Sequence, residues 1–264
     1  MTDPRSTRVL VIINGIERAL ASGPIRFLIL IGLLLAVASP LTAAHSQRIL
    51  SALAGDGLAQ VLETALPDPS WREANAQWVK NLMQIMSVAV IIVSATSIVA
   101  DLTRGSLLLV LTRDVSRRAF LTSRVLGLHA SLLIVSVGGA CAAWAVTLLV
   151  FGDGSFAAVL GASLAWFLQA SVVVGAAVLA AVVSPRVASS AGAAFGAYLL
   201  IVVGSMWSAA AKTSPVGLPL LMEDLASGAG MGEGAWAVVA SSAAVVGACL
   251  IVSLRVFDGR DLGG

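Results

Sequence analysis

The sequence predicts an all-α, polytopic membrane protein with six transmembrane helices and with both termini in the cytoplasm. Hydrophobic residues make up 58% of the 264 residues, charged residues only 11%, and the mean hydropathy is +0.97. The apolar residues are gathered in long charge-free stretches, and the basic residues lie unequally between them. Because a soluble domain of this length needs far more charge to keep its surface in water, the bilayer must be the solvent.

Six stretches contain no Asp, Glu, Lys or Arg, and each is near or above the roughly 18–20 residues that cross a hydrocarbon core. They are residues 27–44, 82–100, 125–151, 156–183, 187–211 and 235–254. A charge at the centre of a spanning helix costs about 2.5–3.5 kcal/mol on insertion scales. All of the 16 basic and 14 acidic residues fall outside these windows. This segregation predicts one six-span domain over residues 27–254, followed by a cytoplasmic tail, residues 255–264.

The placement of basic residues predicts the orientation. With the N-terminus inside, twelve arginines lie in cytoplasmic segments, and only Arg48, Arg72, Lys80 and Lys212 lie outside. This is a clear positive-inside bias. Four tryptophans lie at or beyond the outer ends of the predicted spans, where an aromatic belt is expected; they are Trp71, Trp78, Trp207 and Trp236.

The segments outside the spans carry further patterns. In residues 1–26, apolar side chains recur at helical spacing from Val9 to Leu20, which predicts a cytoplasmic amphipathic helix in the membrane interface. The outer connection 212–234 is apolar in its first half and contains Pro215, Gly217 and Pro219. Such a segment is compatible both with a loop that re-enters the membrane and with a plain surface loop.

Several functional classes lack the residues that they require. The net charge of +2 is too small to indicate a nucleic-acid partner, and His45 and His129 stand alone, without the cysteine or histidine neighbours of a metal site. The spans carry no ionisable pair and no hydrolase motif, so we expect no catalytic residue, cofactor site or metal site in this chain. A phosphate-binding glycine loop is also absent, so any ATP must be bound by a separate subunit.

Two glutamines are the strongest polar features within the spans. Gln84 and Gln169 are candidates for a transport pathway, although a lone glutamine in a spanning helix more often holds helices together. In the fifth span, Gly192 and Gly196 form a small-xxx-small pair, which permits close helix packing either within the chain or between two copies.

The cytoplasmic connection after the second span has a distinctive sequence. Asp101 ends the span, Gly105-Ser-Leu and a leucine-rich turn follow, and then Val115-Ser-Arg117 leads to Arg124 at the start of the third span. This segment resembles the signature region of type-2 ABC transporter permeases, the membrane subunits of many bacterial exporters. Asp114 stands where that family usually has proline. More weakly, the resemblance extends to the N-terminal helix, the six spans and the C-terminal end.

The resemblance implies that residues 112–120 form a short coupling helix that docks on a partner ATPase, which would hold the ATP and Mg²⁺. It further implies a second permease copy or paralogue, export as the direction of transport, and location in the bacterial inner membrane. The candidate coupling residues are Asp101, Arg104, Gly105, Arg113, Asp114, Val115, Ser116, Arg117, Arg118 and Phe120. In this interpretation the arginines set the register of the partner, and Phe120 and Val115 fill a groove on it. The arginines alone would also serve to fix topology and bind anionic headgroups.

The mostly apolar spans favour a hydrophobic or amphiphilic substrate. Three other functions stay open at this point. The chain could be a non-transporting membrane scaffold of an assembly or maturation complex, which would lack substrate-stimulated turnover. It could be a membrane-embedded enzyme, for which Glu223-Asp224 is the nearest acidic pair, or a self-sufficient channel, which would need a selectivity ring.

Overall fold

The structure is a computed structural model that describes residues 13, 15–18, 20–46, 68–103 and 116–259. Within these ranges the longer helices are α1 (Gly23–Ala44), α2 (Trp71–Thr103), α3 (Arg117–Phe151), α4 (Phe156–Val183), α5 (Val187–Gly204), α6 (Leu218–Ser227) and α7 (Ala235–Asp258). All except α6 are long and apolar enough to cross a membrane, and the described residues contain no strand. The chain is therefore an all-α, multi-pass membrane protein, which confirms the all-α class and the six spans, while the side on which the termini lie stays a prediction.

Helix α4 is the centre of the bundle. It packs against α2, α3, α5, α6 and α7. In its most apolar stretch of 18 residues, 61% of the residues are buried. The corresponding fraction is 17% for α5 and for α7, which therefore lie at the periphery. Helix α1 packs mainly on α3 and on the first part of α2. Small side chains such as Ala162 and Ala177, both fully buried, let the neighbours approach α4 closely.

The bundle has two unlike ends. The arginine-rich end is where α1 and α3 begin and where α2 and α7 end; it carries Arg18, Arg26, Arg117, Arg118, Arg124, Arg186 and Arg255. The far end carries α6 and the tryptophans Trp71, Trp207 and Trp236. At the arginine-rich end, residues 15–18 are helical, and a Cβ on Gly15 would lie 2.7 Å from Cβ of Ser123 in α3. The predicted amphipathic helix is thus described only from residue 13 onward; its earlier residues lie outside the described ranges.

Four spanning helices are longer than the predicted stretches. Helix α1 begins at Gly23 and α7 ends at Asp258, whereas α2 and α3 begin about two turns or more earlier because side chains cap them beyond the apolar stretch. Helix α2 begins at Trp71, where Ser70 and Glu73 form a capping box in which the Ser70 N–H donates to Glu73 Oε2 at 2.9 Å. It continues through a π-helical turn, Leu82–Met86, to Thr103. Helix α3 begins at Arg117, after the N-cap Ser116, whose Oγ accepts from the Ala119 N–H at 3.3 Å.

The fifth spanning helix is shorter than predicted. Helix α5 ends at Gly204 rather than at residue 211, and residues Ser208–Ala211 form a separate helical turn. The chain folds back so that Val216 packs on Gly204, where a Cβ would lie 2.7 Å from Val216 Cγ1. Composition alone could not reveal this break, because residues 205–211 are as free of charge as the helix before them.

The apolar outer connection is a packed helix rather than an extended loop. Leu218, Leu221 and Met222 of α6 are at most 5% exposed, and α6 packs on α4 and on the first part of α2. Gly161 of α4 leaves room for Leu225, whose Cδ2 would lie 3.5 Å from a Cβ at that glycine. One apolar face of this segment is therefore buried against the chain's own helices, whereas Leu220 is 44% exposed.

Tryptophans join α2 and α4 through hydrogen bonds in the core. The indole of Trp78 donates to Ser163 Oγ at 2.9 Å, and the indole of Trp166 donates to Ser87 Oγ at 3.2 Å. Both rings are completely buried. The assignment of Trp78 to an outer aromatic belt was therefore wrong, because α2 extends outward past this residue and turns the ring into the core. Trp207 and Trp236 are 70% and 73% exposed.

Candidate functional site

The arginine-rich end contains an ion pair that joins α2 to α3. Arg124 Nε lies 3.4 Å from Asp101 Oδ2, and the two side chains are only 18% and 30% exposed. The Arg124 guanidinium also lies over the Phe120 ring, 5.4 Å from its centroid, one helical turn earlier in α3. The acidic residue that ends one span and the basic residue that opens the next are thus joined directly by their side chains.

A second ion pair joins α3 to α7. Arg118 Nε contacts Asp258 Oδ2, and the Arg118 side chain is 71% exposed. Because Arg118 lies in the first turn of α3 and Asp258 is the last residue of α7, this contact ties the C-terminal end of the last span to the start of the third. Arg117, beside it, is half-buried. The first turn of α3 is therefore held by neighbours on two sides.

The predicted coupling residues divide into two groups. Asp101, Ser116, Arg117, Arg118 and Phe120 are described and lie near the two ion pairs. The remaining candidates, Arg104, Gly105, Arg113, Asp114 and Val115, lie outside the residues that the structure describes.

Two of the expectations for this segment need correction. Residues 117–120 are the first turn of the spanning helix α3 and not part of a separate short helix, because the Ser116 cap starts a helix that runs on to Phe151. Phe120 is 3% exposed and belongs to the hydrophobic core, so its ring is not available to fill a groove on a partner. Its role is to support Arg124.

A cavity of about 290 Å³ adjoins the Asp101–Arg124 pair. Its polar lining comes from the N-terminal segment (Arg18, Ser22), from α2 (Thr96, Asp101) and from Arg124 of α3. It separates the start of α1 from the end of α2.

The two candidate pathway glutamines have different surroundings. Gln169 of α4 is completely buried, and neither its Oε1 nor its Nε2 has a hydrogen-bond partner among the described residues. Gln84 is exposed and lies within the π-helical turn of α2, where it lines a cavity of about 630 Å³ at the far end. Gln169 does not line this cavity.

The far-end cavity lies between α2, α5 and α6. Its lining includes Arg72, Glu73, Lys80 and Gln84 from α2, Tyr198 and Val202 from α5, and Glu223 and Ser227 from α6. The hydroxyl of Tyr198, the sole tyrosine of the sequence, donates to the carbonyl oxygen of Met83 at 2.8 Å. Because the π-helical turn alters the helical hydrogen-bond pattern, a side chain from α5 can bind a backbone carbonyl here.

Sequence reasoning missed Tyr198 and the charged residues of this cavity. A lone tyrosine in a span has no pattern that identifies it, and the π-helical turn has no sequence signature. The charges of α2 were assigned to the outer connection, since the apolar window starts only at Leu82. The capping pair Ser70 and Glu73 was the available signal that the helix begins earlier.

Comparison with known proteins identifies a family. No curated protein matches the chain. A family model described as "Protein of unknown function (DUF2705)" matches residues 59–262, which is well over half of the chain and includes α2 to α7. The chain therefore belongs to the DUF2705 family.

Proposed function

We propose that the chain is the membrane subunit of an ATP-driven exporter in the bacterial inner membrane, where a separate ATPase subunit docks at the arginine-rich end. The observation that carries the proposal is the ion pair between Asp101 and Arg124, with Nε and Oδ2 3.4 Å apart. It holds the two ends of the connection 104–115 together, so a partner that pushes on this connection moves α2 and α3 as a unit. The resemblance of residues 101–124 to type-2 ABC permeases supports the same assignment.

The contacts of the first turn of α3 provide a route for force. The Arg118–Asp258 pair links this turn to α7, and Gly15 packs on Ser123 of the same helix. A displacement of the start of α3 would therefore also displace the N-terminal segment, α2 and α7. Helix α2 then runs as one element of 33 residues, about 50 Å at 1.5 Å per residue, from the arginine-rich end to the far-end cavity.

The outward face of α5 supports a second copy or a paralogue as partner. A Cβ on Gly192 or on Gly196 would meet nothing within 4 Å in the same chain. The small-xxx-small pair is thus not used for packing within the described protein, and α5 is among the least buried spans. Glycines at this spacing permit close approach of a helix from another chain.

The far-end cavity favours transport over a purely structural scaffold. Gln84 exposes its amide there and makes no hydrogen bond with a described residue. A polar group that faces a cavity at membrane depth is typical of a substrate path, because a group without such a role is disfavoured in an apolar environment. An amphiphilic or hydrophobic substrate fits the cavity, whose lining combines polar residues with apolar ones.

The test is purification of the tagged chain from its own host in mild detergent, identification of the proteins that accompany it, and an assay of ATP hydrolysis. The variant carries Arg117→Glu and Arg118→Glu. The matched control carries Arg186→Glu, which is compared with Arg117→Glu alone; it makes the same charge change at the same end but in the connection between α4 and α5. We expect a P-loop ATPase with the unaltered chain and the control, and its loss or uncoupling with the variant.

Two outcomes would refute the proposal. If no ATPase accompanies the unaltered chain under conditions that keep other membrane complexes intact, the exporter has no energy source. If an ATPase accompanies it but candidate amphiphiles never change its turnover and never cross a vesicle membrane, the chain is a scaffold.

A further inference from the structure

Two charged side chains of opposite sign line the far-end cavity and make no hydrogen bond or ion pair with a described residue: Lys80 and Glu223. We infer that this cavity binds a zwitterionic amphiphile that carries a phosphate and a primary ammonium, with the phosphate at Lys80 and the ammonium at Glu223. The assignment does not rest on the ATPase partner, since it concerns only α2, α5 and α6 of this chain.

The other two charged residues of the cavity, Arg72 and Glu73, each have a structural contact. Arg72 Nε donates to the Ser227 carbonyl at 3.0 Å, and its guanidinium lies over the Trp71 ring, 4.8 Å from the centroid. The Glu73 carboxylate accepts the Ser70 N–H at 2.9 Å in the capping box. Arg72 therefore fastens α6 to α2 through its Nε, and Glu73 caps α2 through its Oε2.

Lys80 and Glu223 are in a different situation. Both side chains line the cavity and both are exposed, Lys80 on α2 and Glu223 on α6. Among the described residues none forms an ion pair or hydrogen bond with either of them. Because the two charges sit on separate helices around one space, a ligand that lies between them can reach both.

The pairing of charges selects the class of ligand. An anionic ligand would gain from Lys80 but meet the like charge of Glu223, and a cationic ligand would meet the reverse arrangement. A zwitterion satisfies both groups at once. A primary ammonium has three N–H donors for the carboxylate, and a phosphate accepts strong hydrogen bonds from a lysine ammonium.

One wall of the cavity is apolar, and the amide of Gln84 lies beside it. Along α2, Ala76, Val79 and Met83 recur at helical spacing on the same wall as Lys80, and Val202 of α5 lines the cavity with them. Gln84 lies one turn beyond Lys80, about 6 Å along the axis. A headgroup at the charges would place its apolar part against this wall and its ester or amide linkage near Gln84.

The cavity volume of about 630 Å³ is in the range of about 300–1,000 Å³ that is usual for small-molecule sites. It therefore accommodates a headgroup and the linkage region. The acyl chains of a membrane lipid would extend from it over apolar helix surface such as Leu199 and Val203 of α5, which are 40% and 62% exposed.

Lipid binding to the purified full chain, delipidated in detergent, tests the inference by native mass spectrometry. The probes are dioleoyl phosphatidylethanolamine, dioleoyl phosphatidylglycerol and dioleoyl trimethylammonium-propane, which are zwitterionic, anionic and cationic. We expect the first to bind most tightly. Glu223→Gln should weaken the binding of phosphatidylethanolamine about tenfold, because one charge-assisted hydrogen bond is lost. The same variant should shift the preference toward phosphatidylglycerol. Lys80→Gln should weaken the binding of both phospholipids by a similar factor.

Matched controls are available on the same end of the molecule. Asp224→Asn and Lys212→Gln remove an acid and a lysine that do not line the cavity, and they should leave all three affinities unchanged. The double variant Lys80→Glu with Glu223→Lys should recover the preference for the zwitterion. Free phosphoethanolamine, added as a competitor, distinguishes a lipid ligand from a soluble zwitterion with the same headgroup. If it displaces the lipid at a similar concentration, the site binds a soluble zwitterion. If it does not displace the lipid, the site binds the lipid.

Equal affinity for the three lipids, or identical binding by the Glu223→Gln and Asp224→Asn chains, would overturn the inference. These results are independent of the exporter proposal, which fails through the absence of an ATPase. The lipid measurement uses the purified chain alone, so either proposal can fail while the other stands.

Discussion

Asp101 and Arg124 lie at opposite ends of the connection between α2 and α3, yet their side chains meet with Oδ2 and Nε 3.4 Å apart. The Phe120 ring lies beneath the Arg124 guanidinium, and both ionic side chains are less than one third exposed. The contact joins the two ends of the connection that the exporter proposal assigns to a partner.

This ion pair should contribute to stability, whereas the other one should not. We expect Arg124→Gln to lower the free energy of unfolding by about 1 kcal/mol, the upper end for a partly exposed pair. Arg118→Gln, which removes the pair with Asp258, should have no measurable effect, because the Arg118 side chain is 71% exposed. Thermal unfolding in detergent, with both variants at the same concentration, compares them. The exchange Asp101→Arg with Arg124→Asp should regain part of the loss, and equal effects of the two single variants would contradict the prediction.

Adjacent glycines in α3 should respond in opposite ways to alanine. A Cβ on Gly139 would lie 2.8 Å from the buried Trp78 ring, so Gly139→Ala should destabilise the protein by about 1–3 kcal/mol through overpacking. A Cβ on Gly138 would meet nothing within 4 Å, so Gly138→Ala should be neutral or stabilise by up to about 1 kcal/mol. Thermal unfolding measures both. If the two variants have the same midpoint, α3 does not present the face described here to α2.

A stability measurement tests whether the buried amide of Gln169 lacks a hydrogen-bond partner. Its amide atoms are fully buried and unpartnered within the described protein, so Gln169→Met should raise the free energy of unfolding by about 1 kcal/mol or more. Gln84→Met is the matched control: its amide is exposed to a cavity, and its replacement should change stability little. A loss of stability in Gln169→Met would show that the amide has a partner, such as a bound molecule, in the folded protein.

The outward glycines of α5 should matter for assembly and not for the fold of one chain. Gly192→Leu and Gly196→Leu add side chains where nothing in the same chain lies within 4 Å, so the thermal midpoint of the monomeric fraction should be unchanged. If a second copy packs here, these variants should shift the mass measured by light scattering in detergent from dimer to monomer. Gly247→Leu in α7, where a Cβ also meets nothing within 4 Å, is the control and should leave the mass unchanged. A dimer that persists in all three variants would place the interface elsewhere.

The six spans were predictable because insertion into a bilayer depends on local composition. Residues 156–183 were bounded correctly at both ends, since a short polar connection flanks the helix on each side. Helices α2 and α3 begin earlier than predicted because Ser70 and Ser116 cap them in polar sequence. Helix α5 ends earlier because Val216, twelve residues further along the chain, packs on Gly204.

The residues near the arginine-rich end were predictable in part. Asp101 and Arg124 were singled out by the resemblance of their sequence context to that of type-2 permeases, and the structure shows that their side chains form an ion pair. Phe120 was assigned to a partner surface, but its burial depends on which face of α3 meets its neighbours. That choice has no local signal in a helix that is apolar on nearly every side.

By itself, the sequence determined that this is an all-α membrane protein with six spans, because the cost of placing a charge in hydrocarbon acts residue by residue along the chain. Only the tertiary structure decided which polar side chains share a space. Lys80 and Glu223 meet at one cavity, while Gln84 faces that cavity and Gln169 is buried in the core. The physical reason is that such neighbours come from helices far apart in sequence, and small-residue packing around α4 sets their rotation and depth.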